Sequence, residues 1–231
     1  MRLNHSLIDV LADARSFADD VTGLLNGTIT HGIRVSAAAV KGGADQGNVA
    51  QVGLGVGRAN LSPRLIPLTL GNSKPTAYLR VAYLLKSDLE GTHLAVAQSR
   101  YGLYLDENGE KMLVHWDYDR EPKNEYPGAH VQVNGECEYF DILTNQARNA
   151  GRISPKRPLR DFHFPVGGRR FRPTLEDVVE FLAVEGLAEM RNDWETVVKE
   201  HRDRWEERQL RAAIRRFPEI ARQQLREDHQ I

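Results

Sequence analysis

The 231-residue sequence has one cysteine, Cys137, which excludes an intramolecular disulfide and a zinc site built from several cysteines. It also lacks a strong charge of either sign, because 31 basic residues balance 32 acidic ones and the net charge is −1. The global positive field of many nucleic-acid-binding proteins is therefore missing. Any anion-binding site must be built from a local cluster of basic side chains.

Long apolar runs are missing as well. No run approaches the roughly 20 residues that a membrane-spanning helix requires. Asp9, Asp13, Asp19 and Asp20 interrupt the stretch that would form the apolar core of a secretory signal. The composition, with 41% hydrophobic and 27% charged residues, is typical of a globular protein rather than a disordered one. We therefore expect a soluble cytoplasmic protein without a membrane segment.

Hydrophobic periodicity divides the chain into three parts. Residues 6–25 carry apolar side chains at helical spacing, which predicts an amphipathic N-terminal helix. Residues 76–133 contain β-prone runs joined by short turns, which predicts an antiparallel meander, and residues 161–165 read as a further short strand. Beyond a capping-box-like Thr174–Asp177, the chain reads as charged helices with a break near Pro218.

The expected fold is α+β, with an antiparallel sheet of four to six strands, an N-terminal amphipathic helix and a helical C-terminal region. The C-terminal helices either pack on the sheet or form an assembly arm. The expected segments are residues 1–27 for the N-terminal helix, 28–173 for the sheet and 174–231 for the helical region.

A glycine-rich run at residues 53–57 has the spacing of a nucleotide-binding loop without its other features. The run does not end in Gly-Lys-Ser or Gly-Lys-Thr, and Pro63 argues against a helix that would begin directly after it. We interpret the run as a glycine-kinked edge strand.

Histidines recur on the polar faces of three predicted strands. Side chains alternate between the two faces of a strand, so His115, Asp117 and Asp119 share the face opposite the apolar Trp116. The same alternation places His130 and Gln132 on the polar face of the next strand. It places His163 on the polar face of the last one, between two inward phenylalanines.

If these strands are neighbours, the histidines and carboxylates can converge into a catalytic site. His130 and His163 would serve as acid and base, and Asp117 would orient a histidine, with His115 beside them. The same residues could bind a divalent metal. The competing interpretation is the ordinary solvated face of an antiparallel sheet.

A glycine–arginine turn follows the last predicted strand. Three arginines within four residues can clamp phosphate oxygens, and the glycines before them allow close approach of a ligand. The candidate phosphate-binding residues are Arg169, Arg170 and Arg172. Together with the histidines, this turn would supply the acid, the base and the positive charge that phosphodiester cleavage needs. An ordinary solvated loop is the alternative.

Residues 101–133 resemble small bacterial toxin domains of the TumE-like kind. The resemblance rests on three motifs: residues 106–109 (Asp-Glu-Asn-Gly), 114–119 (Val-His-Trp-Asp-Tyr-Asp) and 126–132 (Tyr-Pro-Gly-Ala-His-Val-Gln). It implies a role in a toxin–antitoxin or defence module, with nuclease activity. The clustered histidines of the family are reduced here to His130, and Gln132 stands where a second one would be.

Two functional hypotheses follow. The first is a bacterial conflict-system protein that cleaves RNA or another phosphodiester, with or without a metal. The second is a non-catalytic antitoxin or assembly subunit. In that case the N-terminal apolar stripe and the helix around Trp194 and Trp205 would bind a protein partner or a second copy of the chain.

Overall fold

The computed structural model describes residues 8–40, 49–71, 74–122, 126–151, 159–167 and 172–228. Within these ranges the chain forms five helices and an eight-stranded antiparallel sheet, which confirms the α+β class with more strands than expected. The helices are α1 (Val10–Thr28), α2 (Glu138–Asn149), α3 (Leu175–Val184), α4 (Trp194–Arg216) and α5 (Pro218–Glu227). The strands are β1 (Val35–Ala39), β2 (Val49–Leu54), β3 (Ile66–Leu68), β4 (Ala77–Ser87), β5 (Leu94–Tyr104), β6 (Met112–Asp119), β7 (Ala129–Val133) and β8 (Phe164–Pro165).

The strands follow the order β1-β2-β4-β5-β6-β7-β8, and β3 also pairs with β4. The glycine-rich run begins in the last two residues of β2. Since β2 lies between β1 and β4, the prediction of an edge strand there is wrong. Gly53 has a packing role instead. A Cβ atom at this position would lie 2.6 Å from Cβ of Pro63, so only glycine lets the following loop fold back onto the strand.

Helix α1 covers one face of the sheet. Its carboxylate N-cap, Asp9, accepts hydrogen bonds from the N–H groups of Leu11 and Ala12, and the helix ends at Thr28, three residues beyond the prediction. Leu11 and Phe17 pack half-buried against the same core, and six residues of the apolar stripe are buried: Val10, Ala14, Ala18, Val21, Leu24 and Leu25. Since these side chains form core, the stripe is not a free partner surface, which corrects that part of the binding hypothesis.

Helix α3 completes the same core. Thr174 and Asp177 form the predicted capping box, with the Thr174 N–H donating to the Asp177 carboxylate at 2.8 Å and the Asp177 N–H donating to the Thr174 hydroxyl at 3.3 Å. Val178, Val179 and Leu182 then pack with α1 and the central strands in one hydrophobic cluster. The cap thus fixes where α3 begins, and its apolar face fixes how it docks.

Helix α4 starts on the core and then leaves it. Val198 is the buried residue of α4, and Trp194 packs against the core beside it. Ion pairs hold the next turns, from Arg202 to Glu180 at 2.6 Å and from Arg208 to Asp20 at 2.7 Å. The predicted break is confirmed, because α4 ends at Arg216 and α5 begins at Pro218.

Helix α5 contributes no buried residue, so the C-terminal segment beyond Arg208 projects from the core. None of the helices in the described chain combines the length and the apolar character needed to cross a membrane.

Candidate active site

Strand β6 presents two chemically different faces, as its sequence predicts. Trp116 packs against the hydrophobic core, with its ring 5.5 Å from that of Phe181 in α3, and Tyr118 is buried on the same side. His115 and Asp117 alternate with them and therefore lie on the opposite side of the sheet. Their side chains are 16% and 23% exposed, so the site is shielded without being closed.

Strand β7 brings the second histidine to this face. Asp117 pairs directly with His130, and His115 pairs with Gln132. Directly opposite residues on antiparallel strands hold their Cβ atoms about 5 Å apart, so the register itself groups these four side chains. The imidazole rings of His115 and His130 are 6.4 Å apart, centroid to centroid.

His163 joins the group from the chain just before β8, not from inside a strand. Residues Leu159–Asp161 form a 3-10 turn, and β8 contains two residues, so the predicted strand over residues 161–165 is too long. The His163 ring meets that of His130 edge to face at 4.6 Å and stacks on Tyr126 at 3.6 Å. The three predicted histidines therefore converge.

The phenylalanines beside His163 explain how its position is held. Phe162 and Phe164 pack against Phe140, with ring centroids 5.1 and 5.6 Å away. Phe140 belongs to α2, a helix that begins directly after Cys137 and that the sequence patterns did not indicate. An aromatic cluster under α2 thus anchors the segment that delivers His163 to the site.

Hydrogen bonds define the proton positions on two of the imidazoles. Nδ1 of His130 donates to the backbone carbonyl of Pro127 at 2.9 Å, so the neutral ring carries its lone pair on Nε2. Nε2 of His115 donates to Oε1 of Gln132 at 2.6 Å, and the amide nitrogen of Gln132 donates to the carbonyl of Arg160 at 3.3 Å. The remaining nitrogen of His115, Nδ1, lies 3.0 Å from Sδ of Met112, whereas His130 keeps its lone pair on Nε2.

Asp117 has a cationic neighbour that the sequence patterns missed. Arg100 of β5 pairs directly with Asp117, and its Nε lies 3.9 Å from Oδ2 of that carboxylate. Oδ2 also lies 3.8 Å from Nε2 of His115. The Arg100 side chain is 64% exposed, so its guanidinium reaches the solvent at the edge of the site.

The geometry also satisfies the first requirement of a metal site. His115, Asp117 and His130 each offer a ligand atom, and these atoms all lie within 4.8 Å of one another. Two nitrogens and one carboxylate oxygen form a donor set typical of first-row transition metals.

Arg172 does not lie with the histidines, which corrects its assignment as a phosphate-binding residue. It is buried, and its guanidinium carbon lies 4.2 Å above the ring of Tyr118, on the core side of β6. The physical reason is its position two residues before the Thr174 cap of α3, where the chain already enters the core. Arg169 and Arg170 lie outside the described residues.

Arg172 belongs instead to a buried polar group on the core side. The hydroxyl of Tyr101 donates to that of Tyr83 at 3.0 Å, and burial raises the pKa of Tyr101 to about 12. Burial also raises the pKa of Tyr83 well above its ordinary value, and it raises the pKa of the Glu176 carboxyl. These groups lie on the core face of the sheet, away from the histidines.

Comparisons of the chain with protein-family models, curated proteins and solved structures found no match. The resemblance of residues 101–133 to TumE-like toxin domains stays a prediction.

Proposed function

We propose that this protein cleaves RNA, with His130 as general base and His163 as general acid. The observation that carries the proposal is the convergence of three imidazoles and a carboxylate on the partly exposed face of β6 and β7. Two adjacent imidazoles, one neutral and one protonated, can move a proton on each side of a phosphorus centre.

The chemistry uses the ribose as its own nucleophile. Nε2 of His130 removes the proton of the 2′-hydroxyl, and the 2′-oxygen attacks the neighbouring phosphorus. His163 donates a proton to the departing 5′-oxygen, so the products are a 2′,3′-cyclic phosphate and a free 5′-hydroxyl. DNA lacks the 2′-hydroxyl and cannot react in this way. The step needs no added oxidant, reductant or co-reactant.

Supporting roles fall to the charged neighbours. Arg100 can pair with a phosphate oxygen, because its guanidinium reaches the solvent next to the site. Asp117, close to both Arg100 and His115, keeps these two groups oriented. The side chains of Arg169 and Arg170 remain proposed phosphate ligands on the strength of the sequence alone.

The proposed biological setting is a toxin–antitoxin or defence module in the bacterial cytoplasm. The resemblance of residues 101–133 to TumE-like toxin domains supports this setting, and RNA is an accessible substrate there. The net charge is near zero, so RNA would have to be held through local contacts, and the balanced charge by itself slightly favours the non-catalytic alternative.

The test uses a fluorogenic RNA oligonucleotide and a DNA oligonucleotide of the same sequence, both in the presence of a chelator. We expect cleavage of the RNA alone, with a cyclic phosphate product. His130→Ala and His163→Ala should each reduce the rate by about 100-fold or more. His93→Ala is the matched control, because His93 lies in the turn between β4 and β5, paired with Asp88. Full activity of the His130 and His163 variants would refute the proposal.

A second candidate function is self-association through the C-terminal arm, residues 209–227. The proposed partner is a second copy of this chain. Five large apolar side chains of the arm are exposed: Leu210, Ile214, Phe217, Ile220 and Leu225. They continue across the break at Pro218, and acidic and basic residues flank them. A two-fold pairing would bury the same apolar residues on both chains.

Light scattering after size-exclusion chromatography tests this assembly. We expect a dimer that dissociates in the Ile214→Glu and Ile220→Glu variants. Leu89→Glu is the control, since Leu89 is a fully exposed leucine in a turn outside the arm. A wild-type chain that stays monomeric at high concentration would rule out the assembly.

A further inference from the structure

His115, Asp117 and His130 are placed as the ligands of a three-residue metal site. Their candidate ligand atoms lie within 4.8 Å of one another. Ligand atoms bound to a tetrahedral zinc ion are about 3.4 Å apart, so closure needs side-chain movements of only about 1 Å. We propose that these three residues bind Zn²⁺ and leave the fourth coordination position open to water.

The backbone already holds the ligands in place. His115 and Asp117 are two residues apart on β6 and so share one face, and His130 lies directly across from Asp117 on β7. Ligands carried by paired strands are positioned more accurately than ligands on loops. The arrangement therefore needs no folding of a separate metal loop.

His130 also has the outer contact that a metal-binding histidine requires. Its Nδ1–H is held by the carbonyl of Pro127, which leaves Nε2 as the nitrogen that can bind a metal. Backbone carbonyls commonly fix metal-binding histidines in this tautomer. The side chains of His115 and Asp117 are mostly shielded, yet solvent reaches the site, as a site with an open coordination position needs.

Two existing contacts compete with the metal. The Nε2 proton of His115 is donated to Gln132, so a metal at this nitrogen replaces that proton and releases the amide. Arg100 lies 3.9 Å from Asp117 and must turn outward, which its exposed side chain allows. Gln132 is therefore a competitor of the metal rather than a fourth ligand.

The donor set selects the class of ion. Two imidazole nitrogens and one carboxylate suit Zn²⁺ with three protein ligands. Mg²⁺ and Ca²⁺ prefer shells made entirely of oxygen, so neither should compete at equal concentration.

One consequence rests on the proposed RNA cleavage. Zn²⁺ and the general-base role both require the Nε2 lone pair of His130, so the two are mutually exclusive. Zn²⁺ should therefore inhibit the cleavage of RNA, and a chelator should restore it.

Isothermal titration calorimetry of the chelator-treated full chain with ZnCl₂ tests the site. We expect one ion per chain with micromolar or tighter affinity, and no heat of binding with MgCl₂. His115→Ala, Asp117→Asn and His130→Ala should each weaken binding by at least about tenfold. Gln132→Ala should bind at least as tightly as the wild type. His163→Ala is the matched control with unchanged affinity, since His163 borders the cluster without belonging to the ligand set.

The outcomes separate the two proposals. Absence of binding by the wild-type chain, or unchanged affinity in the His130→Ala variant, overturns the zinc site and leaves RNA cleavage untouched. Stimulation of RNA cleavage by Zn²⁺ supports the zinc site and overturns the metal-free role of His130. Loss of RNA cleavage in the His163→Ala variant with normal zinc affinity supports both.

Discussion

Truncation of two adjacent residues of β6 should have different effects, one mainly on stability and the other mainly on the candidate site. Trp116 faces the core and meets the ring of Phe181, whereas His115 faces the candidate active site. We expect Trp116→Ala to reduce the free energy of unfolding strongly with little effect on the chemistry of the folded fraction. His115→Ala should reduce stability only slightly and should weaken zinc binding at the site.

The magnitudes follow from the contacts of each side chain. Replacing a buried tryptophan with alanine costs about 3–5 kcal/mol, and the partial burial of Trp116 places it near 3 kcal/mol. His115→Ala removes the contacts of the ring with Gln132 and with Sδ of Met112, and the hydrogen bond to Gln132 corresponds to about 1 kcal/mol. With a denaturant slope of about 3 kcal/mol per molar urea, the midpoint should fall by about 1 M for Trp116→Ala and by about 0.3 M for His115→Ala.

Urea unfolding followed by circular dichroism measures both midpoints under identical conditions. Zinc titration of the folded variants then provides the second readout, in which His115→Ala should be defective and Trp116→Ala normal. Equal midpoints for the two variants, or a zinc defect in Trp116→Ala, would mean that the two faces of β6 are assigned wrongly.

Two further predictions concern the core. Burial raises the pKa of the Glu176 carboxyl, so the folded state binds its proton more tightly than the unfolded state does. The contribution of Glu176 to stability therefore falls as the pH rises from the ordinary carboxyl range through the raised value. Glu176→Gln should accordingly melt higher than the wild type at about pH 7 and lose this advantage below about pH 4, and equal melting temperatures at both pH values would contradict the argument. Gly53→Ala should cost about 1–3 kcal/mol in urea unfolding, because its new methyl group would lie 2.6 Å from Cβ of Pro63, and Gly57→Ala, which meets no atom within 4 Å, is the matched control.

The sequence predicted those parts of the fold that depend on local patterns. Alternation along residues 112–119 identified the core face and the histidine face of β6, because neighbours on a strand must point to opposite sides. The capping residues at Thr174 located the start of α3, and Pro218 located the break between α4 and α5. Each of these features depends on only a few consecutive residues.

Helix α2 was missed because its local signals are weak. Its N-cap position is Cys137, which makes no side-chain hydrogen bond to the helix, and its apolar residues Tyr139, Ile142 and Leu143 are exposed. The contact that holds the helix is tertiary, from Phe140 to the aromatic rings beside β8. The helix is amphipathic, but no capping side chain marks its start in the sequence.

Arg100 was missed for a different reason. Near the turn, Tyr104 pairs with Met112, and counting back along both strands would place Arg100 opposite Trp116. A bulge between Leu103 and Tyr104 shifts the register by one residue, and Arg100 pairs with Asp117 instead. A bulge leaves no reliable mark in the sequence, yet it decides which side chains share a face.

The candidate site therefore depends on the packing of the whole sheet. The bulged register of β5 with β6 brings Arg100 to Asp117, the register of β6 with β7 brings His130 to Asp117, and the short β8 brings His163 to His130. A slip of one residue in either longer pairing would turn the polar residues of one strand toward the core. Trp116, alternating with His115 and Asp117, opposes such a slip because its burial would be lost. Burial of the apolar face of β6 thus stabilises the strand register that brings the histidines and Asp117 together on the polar face.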